Sequence, residues 1–250
     1  MTQTPFFSTL KNRGIITIRG QDRESFLQSL ISNDIALLKT QDCVYACLLS
    51  PQGKFLYDFF LTVEQDTILI DCEGGQRTDS LAKILNMYKL RADVDITYDN
   101  NTTLYAVIGT QHGYKDPRHP DIGYRSRTKP KNVEEKPFSS WDKHRISLTI
   151  PDGSRDMIIQ KSTLLECNID KLNGLSFDKG CYIGQELTAR MHYRGLAKKH
   201  LYTIKPIDIT AEKLPECDQT ITKNGKNIGV MRSSCDDTGL AILKDAYAPN

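Results

Sequence analysis

A single cysteine carries the strongest chemical signal in this sequence. Cys181 lies between two glycines in the segment FDKGCYIGQELTAR, residues 177–190. Good helix formers begin at Gln185, so we expect Cys181 in a loop just before a helix N-terminus, with Lys179 close in sequence. Both a helix N-terminus and a nearby cation stabilise the thiolate, the reactive form of cysteine. Glu186 falls in the first helical turn, where the helix dipole favours an acid. The pattern predicts a chemically competent thiol.

The alternative for Cys181 is a small buried hydrophobe in a turn, since cysteine is among the most buried residue types. We expect this structural role for the other six cysteines of the chain: Cys43, Cys47, Cys72, Cys167, Cys217 and Cys235. They lack metal-site spacing, and Cys43 and Cys47 fall on a predicted strand, where four residues span about 13 Å. No stable metal site is therefore expected from this chain alone.

Composition excludes several classes of protein. The 250 residues carry a formal net charge of +2, which is too small to indicate a nucleic-acid partner. No window approaches the roughly 20 apolar residues that a membrane helix needs. The start of the chain has neither a signal-peptide nor a transit-peptide pattern. With an odd number of cysteines, seven, the sequence predicts free thiols in a reducing, cytoplasmic compartment.

Hydrophobic periodicity predicts an α+β chain in two parts. Residues 22–34 and 81–88 have helical spacing, and a meander of strands lies between them. Residues 111–140 are polar with four prolines, which indicates a long connection, and RISLTI after it has strand character. Beyond Arg190 short strands dominate, with Asn224-Gly225 as a hairpin turn. We therefore expect a core over residues 1–195, with two possible subdomains, and a small β-barrel over 196–250.

The segment KGCYIGQE resembles the signature of the YgfZ family, folate-binding proteins related to the glycine-cleavage T protein, an aminomethyltransferase. Further segments resemble the family in its order and cover nearly the whole chain: FLQSLISNDI, SPQGKFLYD, KLRADV, DPRHPDIGYR, RISLTIPDGSRD and GLAILK. The version FDKGCYIGQELTAR is similar to the mitochondrial and alpha-proteobacterial branch, which acts in iron–sulfur cluster assembly. The resemblance implies a layered folate-binding α+β core around a central channel, with a C-terminal β-barrel. It also implies that Cys181, with Lys179, Gln185 and Glu186 around it, is the catalytic group.

The same resemblance implies a tetrahydrofolate pocket. Such a pocket needs a carboxylate for the pterin donors, apolar walls and cations for the glutamate tail. Candidate binding residues are the acids Asp34, Asp58 and Glu166 and the cations Lys54, Arg91 and Arg190. Glu166 in LLECN resembles a pterin-contacting glutamate of the T protein. The T protein has adjacent acids where this chain has Tyr57-Asp58, which argues against aminomethyl transfer. For each cation the alternative is a solvated surface charge.

Three functions compete. The first is a tetrahydrofolate-binding accessory protein for maturation or repair of [4Fe–4S] proteins, using Cys181. Since clusters take several thiolate ligands, Cys181 would share one transiently with an iron–sulfur scaffold, an A-type carrier or a client protein. The second is a tetrahydrofolate-dependent aminomethyl transferase. The third is a thiol redox protein, although no resolving cysteine lies at short spacing. Neither nucleic acid nor a membrane is expected as a partner.

Overall fold

The computed structural model describes residues 4–100 and 102–249, in which three β-sheets and four α-helices are formed. The strands, in chain order, are β1 (Phe6–Leu10), β2 (Arg13–Arg19), β3 (Val44–Leu49), β4 (Phe55–Glu64), β5 (Thr67–Glu73), β6 (Asp95–Asp99), β7 (Leu104–Ile108), β8 (Tyr114–Lys115), β9 (Tyr124–Ser126), β10 (Glu134–Glu135), β11 (Lys199–Ile204), β12 (Thr220–Lys223), β13 (Lys226–Cys235) and β14 (Thr238–Lys244). The helices are α1 (Arg23–Gln28), α2 (Gln76–Lys89), α3 (Phe138–Ser147) and α4 (Gln185–Tyr193). Short 3-10 turns cover Ile35–Lys39, Gly153–Arg155, Pro206–Ile209 and Asp245–Tyr247.

Each sheet has a simple strand order. The first runs β10-β1-β7-β9-β8, the second β3-β4-β5-β2-β6, and the third β11-β14-β13-β12. All pairs are antiparallel except β1 with β10. The second and third sheets are built largely from neighbours in sequence, which is the meander that the strand-and-turn pattern predicts.

The second sheet is buried on both faces, which explains why β3 is apolar throughout. Side chains alternate along a strand, so Tyr45 and Cys47 point to one face and Val44 and Ala46 to the other. Tyr45 and Cys47 join a core shared with the first sheet and α3. Val44 and Ala46 join a second core with α1 and α2. The sheet is therefore the middle layer of the larger part of the chain.

The polar segment 111–140 is more ordered than expected. It contributes β8, β9 and β10 to the first sheet. It also carries three charged residues into the interior, namely Asp116, Arg118 and Arg125, each at most 4% exposed. Ion pairs offset the free-energy cost of burying these charges. The local composition of the segment does not reveal that such pairs form.

The prediction of a strand over RISLTI is wrong, because its first residues complete α3. Arg145 is fully buried, and its guanidinium bonds Asp142, one helical turn earlier, and Asp156, each over 2.7 Å. It also donates to Ser233 Oγ on β13 over 2.7 Å. A long-range polar cluster thus outweighs the local strand preference, and it joins α3 to the C-terminal sheet.

The C-terminal sheet has its own small core, which includes Ile204, Ile221 and Met231. Asn224 and Gly225, between β12 and β13, have φ of 51° and 72°. Positive φ at both positions is typical of the type I′ turn predicted for this hairpin. The expected boundary near residue 195 falls in the link between α4 and β11, and it stays a prediction.

Candidate functional site

A cavity of about 650 Å³ opens between the first two sheets and α3. Its aromatic walls are Phe60, Phe138 and Trp141. The charged residues that line it are Lys11, Arg13, Asp58, Glu73, Arg118, Arg125, Glu135, Lys136, Asp152 and Arg155. Pockets for small organic ligands have this size. The ten charged residues in the lining favour a ligand that carries polar or charged groups.

Asp58 lies on β4, on the face directed at the first sheet, and is 4% exposed. The hydroxyl of Tyr45 donates a 3.0 Å hydrogen bond to its Oδ2. Burial raises the pKa of Asp58, while Arg13 and Arg118 oppose that shift by stabilising the anion. Asp58, predicted as a pocket carboxylate, lines this cavity, and its role in binding stays a prediction.

A layer of paired arginines lies beside Asp58. Arg13 Nε donates to Asp71 over 2.7 Å, and Arg125 Nε donates to the same carboxylate over 3.0 Å. Arg118 pairs with Asp116 over 2.7 Å. The guanidinium of Arg125 also lies 3.9 Å from the centre of the Phe60 ring. Three arginines against the two carboxylates of Asp71 and Asp116 leave this layer with one net positive charge beside the cavity.

Three further acids that the sequence analysis missed line the cavity: Glu73, Glu135 and Asp152. Glu73 ends β5, and its Oε1 accepts a 2.8 Å hydrogen bond from the hydroxyl of Ser154. Burial by itself would raise the pKa of Asp152, but Arg145 and Arg155 outweigh it and lower that pKa below its ordinary value. Glu73 follows an apolar strand and Asp152 lies in a Pro-Asp-Gly turn, so neither shows a pattern that distinguishes it from a turn residue.

The loop that carries Cys181 lies elsewhere on the chain, and the thiol is exposed to solvent. The ammonium group of Lys179, expected to act on the thiol, points inward. Its Nζ donates to the backbone carbonyls of Gln28, Ile31 and Asn33 at 2.7–2.8 Å. Burial lowers the pKa of Lys179 to about 8, and Asp34 opposes the shift. Lys179 thus fastens the loop to the end of α1.

The loop is also fixed at its other end. Gly184 caps the start of α4 with φ of 79°, and a Cβ there would lie 2.4 Å from the carbonyl oxygen of Ser50. Only glycine allows this approach of α4 to the turn between β3 and β4. Gln185 begins α4, as predicted, and Glu186 lies exposed in its first turn. The thiol is held on a short segment between two anchors.

The remaining predicted binding residues lie outside the lining of the cavity. Asp34 caps a 3-10 turn and accepts from the amide of Ala36. Lys54 lies in the turn before β4, and Arg91 and Arg190 are exposed. The carboxylate of Glu166 lies 3.5 Å from the amine of Lys199. The structure therefore brings Asp58 to the cavity and leaves these five elsewhere, so their roles stay predictions.

A second cavity, of about 750 Å³, lies next to the loop of Cys181, lined by Phe177 and Asp178 among others. Tyr45 lines it as well, while its hydroxyl bonds Asp58 in the first cavity. Asp116 lines the second cavity and its partner Arg118 the first. The pairs Tyr45–Asp58 and Asp116–Arg118 thus join the linings of the two cavities.

No group of three or more His, Cys, Asp or Glu side chains within residues 4–100 and 102–249 is arranged to hold a metal ion. In the same residues no helix has the length and apolar character needed to cross a membrane.

The chain is similar to known proteins both in sequence and in structure. The family model for the C-terminal β-barrel domain of CAF17 matches residues 198–248. The chain is 30% identical to the mitochondrial iron–sulfur cluster assembly factor IBA57 of Mus musculus, over 94% of this chain and 76% of that protein. It is 28% identical to the same factor of Homo sapiens, with the same coverage. The crystal structure of glycine cleavage system aminomethyltransferase T from Bartonella henselae matches 98% of this chain and 80% of that chain, with a TM-score of 0.72 and 14% identity.

These likenesses confirm the predicted α+β class with a C-terminal β-barrel and a T-protein-like core. The predicted cytoplasmic location is wrong, because the similar assembly factors are named as mitochondrial proteins. That prediction depended on composition and on the first residues of the sequence, which do not specify a compartment.

Proposed function

The chain belongs to the IBA57 family of iron–sulfur cluster assembly factors, and we propose that it matures or repairs [4Fe–4S] proteins with Cys181 and bound tetrahydrofolate. The observation that carries the proposal is the exposed thiol of Cys181 on a loop fastened by Lys179 and Gly184. The sequence of the segment FDKGCYIGQELTAR supports placing the chain in the family's mitochondrial and alpha-proteobacterial branch.

The cluster is cargo in this proposal. One exposed thiol supplies one ligand, whereas iron–sulfur clusters are held by several thiolates. Four of the other cysteines, Cys43, Cys47, Cys72 and Cys167, are buried. A scaffold, an A-type carrier or a client protein must therefore supply the remaining ligands, and the cluster is shared in a complex.

The surface that follows Cys181 suits such a partner. Residues 185–200 contain four Lys or Arg side chains and one Glu. Arg190 and Arg194 are exposed, and Tyr193 beside them is 73% exposed. A cluster held by thiolates is an anion, and a basic face attracts both it and an acidic partner surface. We propose that the partner docks along this face of α4.

The first cavity fits tetrahydrofolate by its chemistry. Asp58 offers a buried acceptor for the amino and N–H donors of the pterin. Phe60 and Trp141 provide walls for flat rings, and Lys11 and Lys136 provide cations for the carboxylates of the glutamate tail. When bound, tetrahydrofolate supplies a carrier of one-carbon units and a readily oxidised ring.

An aminomethyl transferase remains the second candidate, favoured by Asp58 in a cavity of this fold. The acid missing beside Asp58 argues against it, because Tyr57 packs in the core on the opposite face of the sheet. Incubating the protein with tetrahydrofolate and an aminomethyl donor tests this activity. Formation of methylenetetrahydrofolate would favour the transferase.

The main test uses cells depleted of the protein and complemented with the wild type, Cys181→Ser or Cys217→Ser. Cys217 is also exposed, so it controls for the loss of a surface thiol. Aconitase activity is compared with that of an enzyme without a cluster. We expect the wild type and Cys217→Ser to restore aconitase and Cys181→Ser to fail. Equal rescue by Cys181→Ser would overturn the proposed role of this thiol.

A further inference from the structure

Two carboxylates of the first cavity face each other across one glycine. A Cβ on Gly153 would lie 3.1 Å from Asp58 Oδ1 and 3.4 Å from Glu73 Oε2. Any side chain at residue 153 would therefore fill the space between the two acids. Asp58 Oδ2 is taken by the hydroxyl of Tyr45, whereas Oδ1 lies on the Gly153 side. The cavity thus contains a paired acceptor rather than a single carboxylate.

Glu73 is held in this position from outside the cavity. Ser154 donates its hydroxyl to Oε1 over 2.8 Å, and Arg77 Nε donates to Oε2 over 3.2 Å. Arg77 is itself stacked on the ring of Tyr57, 3.9 Å from its centre. The Glu73 side chain is 18% exposed, so a ligand in the cavity can reach it. The hydrogen bonds from Ser154 and Arg77 fix the orientation of the Glu73 carboxylate, which a solvent-exposed acid would lack.

The second acceptor matters because of pterin chemistry. In tetrahydropterin the ring nitrogens N5 and N8 carry hydrogens and donate. In oxidised folic acid the same nitrogens have only lone pairs and accept. An ionised carboxylate only accepts hydrogen bonds, so it can pair with the reduced ring and repels the oxidised one. A site built to bond an N–H group discriminates strongly against an analogue that lacks it.

We propose that Glu73 is a specificity-determining residue, which accepts a hydrogen bond from a ring N–H that only reduced folates carry. Asp58 serves the donors common to both oxidation states, and Glu73 supplies the distinction between them. The inference rests on the proposed binding of folate in the first cavity. It assigns a ligand oxidation state to that cavity and a role to a residue outside the Cys181 segment.

The chain provides its own probe for the test. Trp141, its single tryptophan, lines the cavity and is 3% exposed. Quenching of its fluorescence, corrected for ligand absorbance and checked by calorimetry, gives Kd for tetrahydrofolate and for folic acid under anaerobic conditions. We expect the wild type to prefer tetrahydrofolate by about 100-fold or more.

In Glu73→Gln the preference should fall to below about 10-fold, mainly through weaker binding of tetrahydrofolate. Glu212→Gln makes the same charge change at an exposed position outside the cavity and should keep the wild-type ratio. Ser154→Ala leaves the charge of Glu73 and removes one of its hydrogen-bond donors, while Arg77 remains, so it should lower the preference for tetrahydrofolate by a smaller factor. That variant keeps the test decisive if Glu73→Gln does not fold.

The outcomes separate the two proposals. If the ratio of the two Kd values is unchanged in Glu73→Gln, the role of Glu73 is overturned while folate binding stays intact. A wild type that binds both ligands equally would do the same. If the wild type binds neither ligand, the proposed folate site itself is wrong.

Discussion

The hydroxyl of Tyr45 donates a 3.0 Å hydrogen bond to Asp58 Oδ2, and this bond joins the linings of the two cavities. Tyr45 lines the second cavity, whereas Asp58 lines the first. The bond orients the carboxylate and leaves Oδ1 directed toward Gly153. Asp58 is thus both a buried acid with a structural partner and the best acceptor in the cavity.

Replacing Asp58 by Asn should stabilise the free protein. Burial raises the pKa of Asp58, so its ionised form costs free energy in the folded state above that pKa. Asn keeps an acceptor for Tyr45 without the charge. We expect Tm at pH 7 to rise by roughly 2–4 °C, which corresponds to about 1 kcal/mol in a chain of this size. Calorimetry measures Tm. A lower Tm would show that the ionised carboxylate gains more free energy from Arg13 and Arg118 than it loses through burial.

Tetrahydrofolate binding should weaken as the solution is acidified. The ionised carboxylate of Asp58 is the proposed acceptor, and burial raises its pKa toward neutrality. Below that pKa we expect affinity to fall by up to about 10-fold per pH unit, because binding then requires loss of a proton. Titrations between pH 7.5 and 5 test this, with Asp58→Asn as the control. A wild-type profile as flat as that of the variant would contradict it.

Lys179→Met should loosen the loop of Cys181. The substitution leaves three carbonyls, of Gln28, Ile31 and Asn33, without their donor. Since unsatisfied buried groups each cost about 1–3 kcal/mol, we expect a loss of roughly 3 kcal/mol in the free energy of unfolding. Lys171→Met, at an exposed position, should change it by less than about 0.5 kcal/mol. Urea denaturation compares them, and equal stability of both variants would refute this anchoring role.

Charge reversal on α4 should slow docking of a cluster-carrying partner. Arg194→Glu places an acid at the C-terminal end of α4, on the face proposed for the partner. Association at low salt should slow by about 10-fold, and the difference should shrink as salt screens the charges. Stopped-flow measurement with an A-type carrier provides the rate. As a control, Lys213→Glu changes an exposed lysine of the C-terminal part and should leave the association rate at the wild-type value. If both variants slow association equally, the overall charge and not the α4 face is responsible.

Local patterns in the sequence were sufficient for several elements. The apolar spacing of α2, the strands β3 to β5 and the Asn224-Gly225 hairpin all follow from periodicity and turn chemistry, which act over a few residues. The segment around Cys181 predicted both the helix at Gln185 and the family. These features need no knowledge of distant residues.

Only the tertiary structure decided which charges meet. Lys179 lies two residues from Cys181 in sequence, yet its ammonium group is committed to carbonyls some 150 residues away along the chain. Glu73 and Asp58 meet across Gly153, which belongs to a different segment. A buried charge must find partners wherever the fold brings them, and that long-range requirement leaves no trace in local composition. The sequence by itself therefore identified the thiol and the family, and the fold alone assembled the cavity.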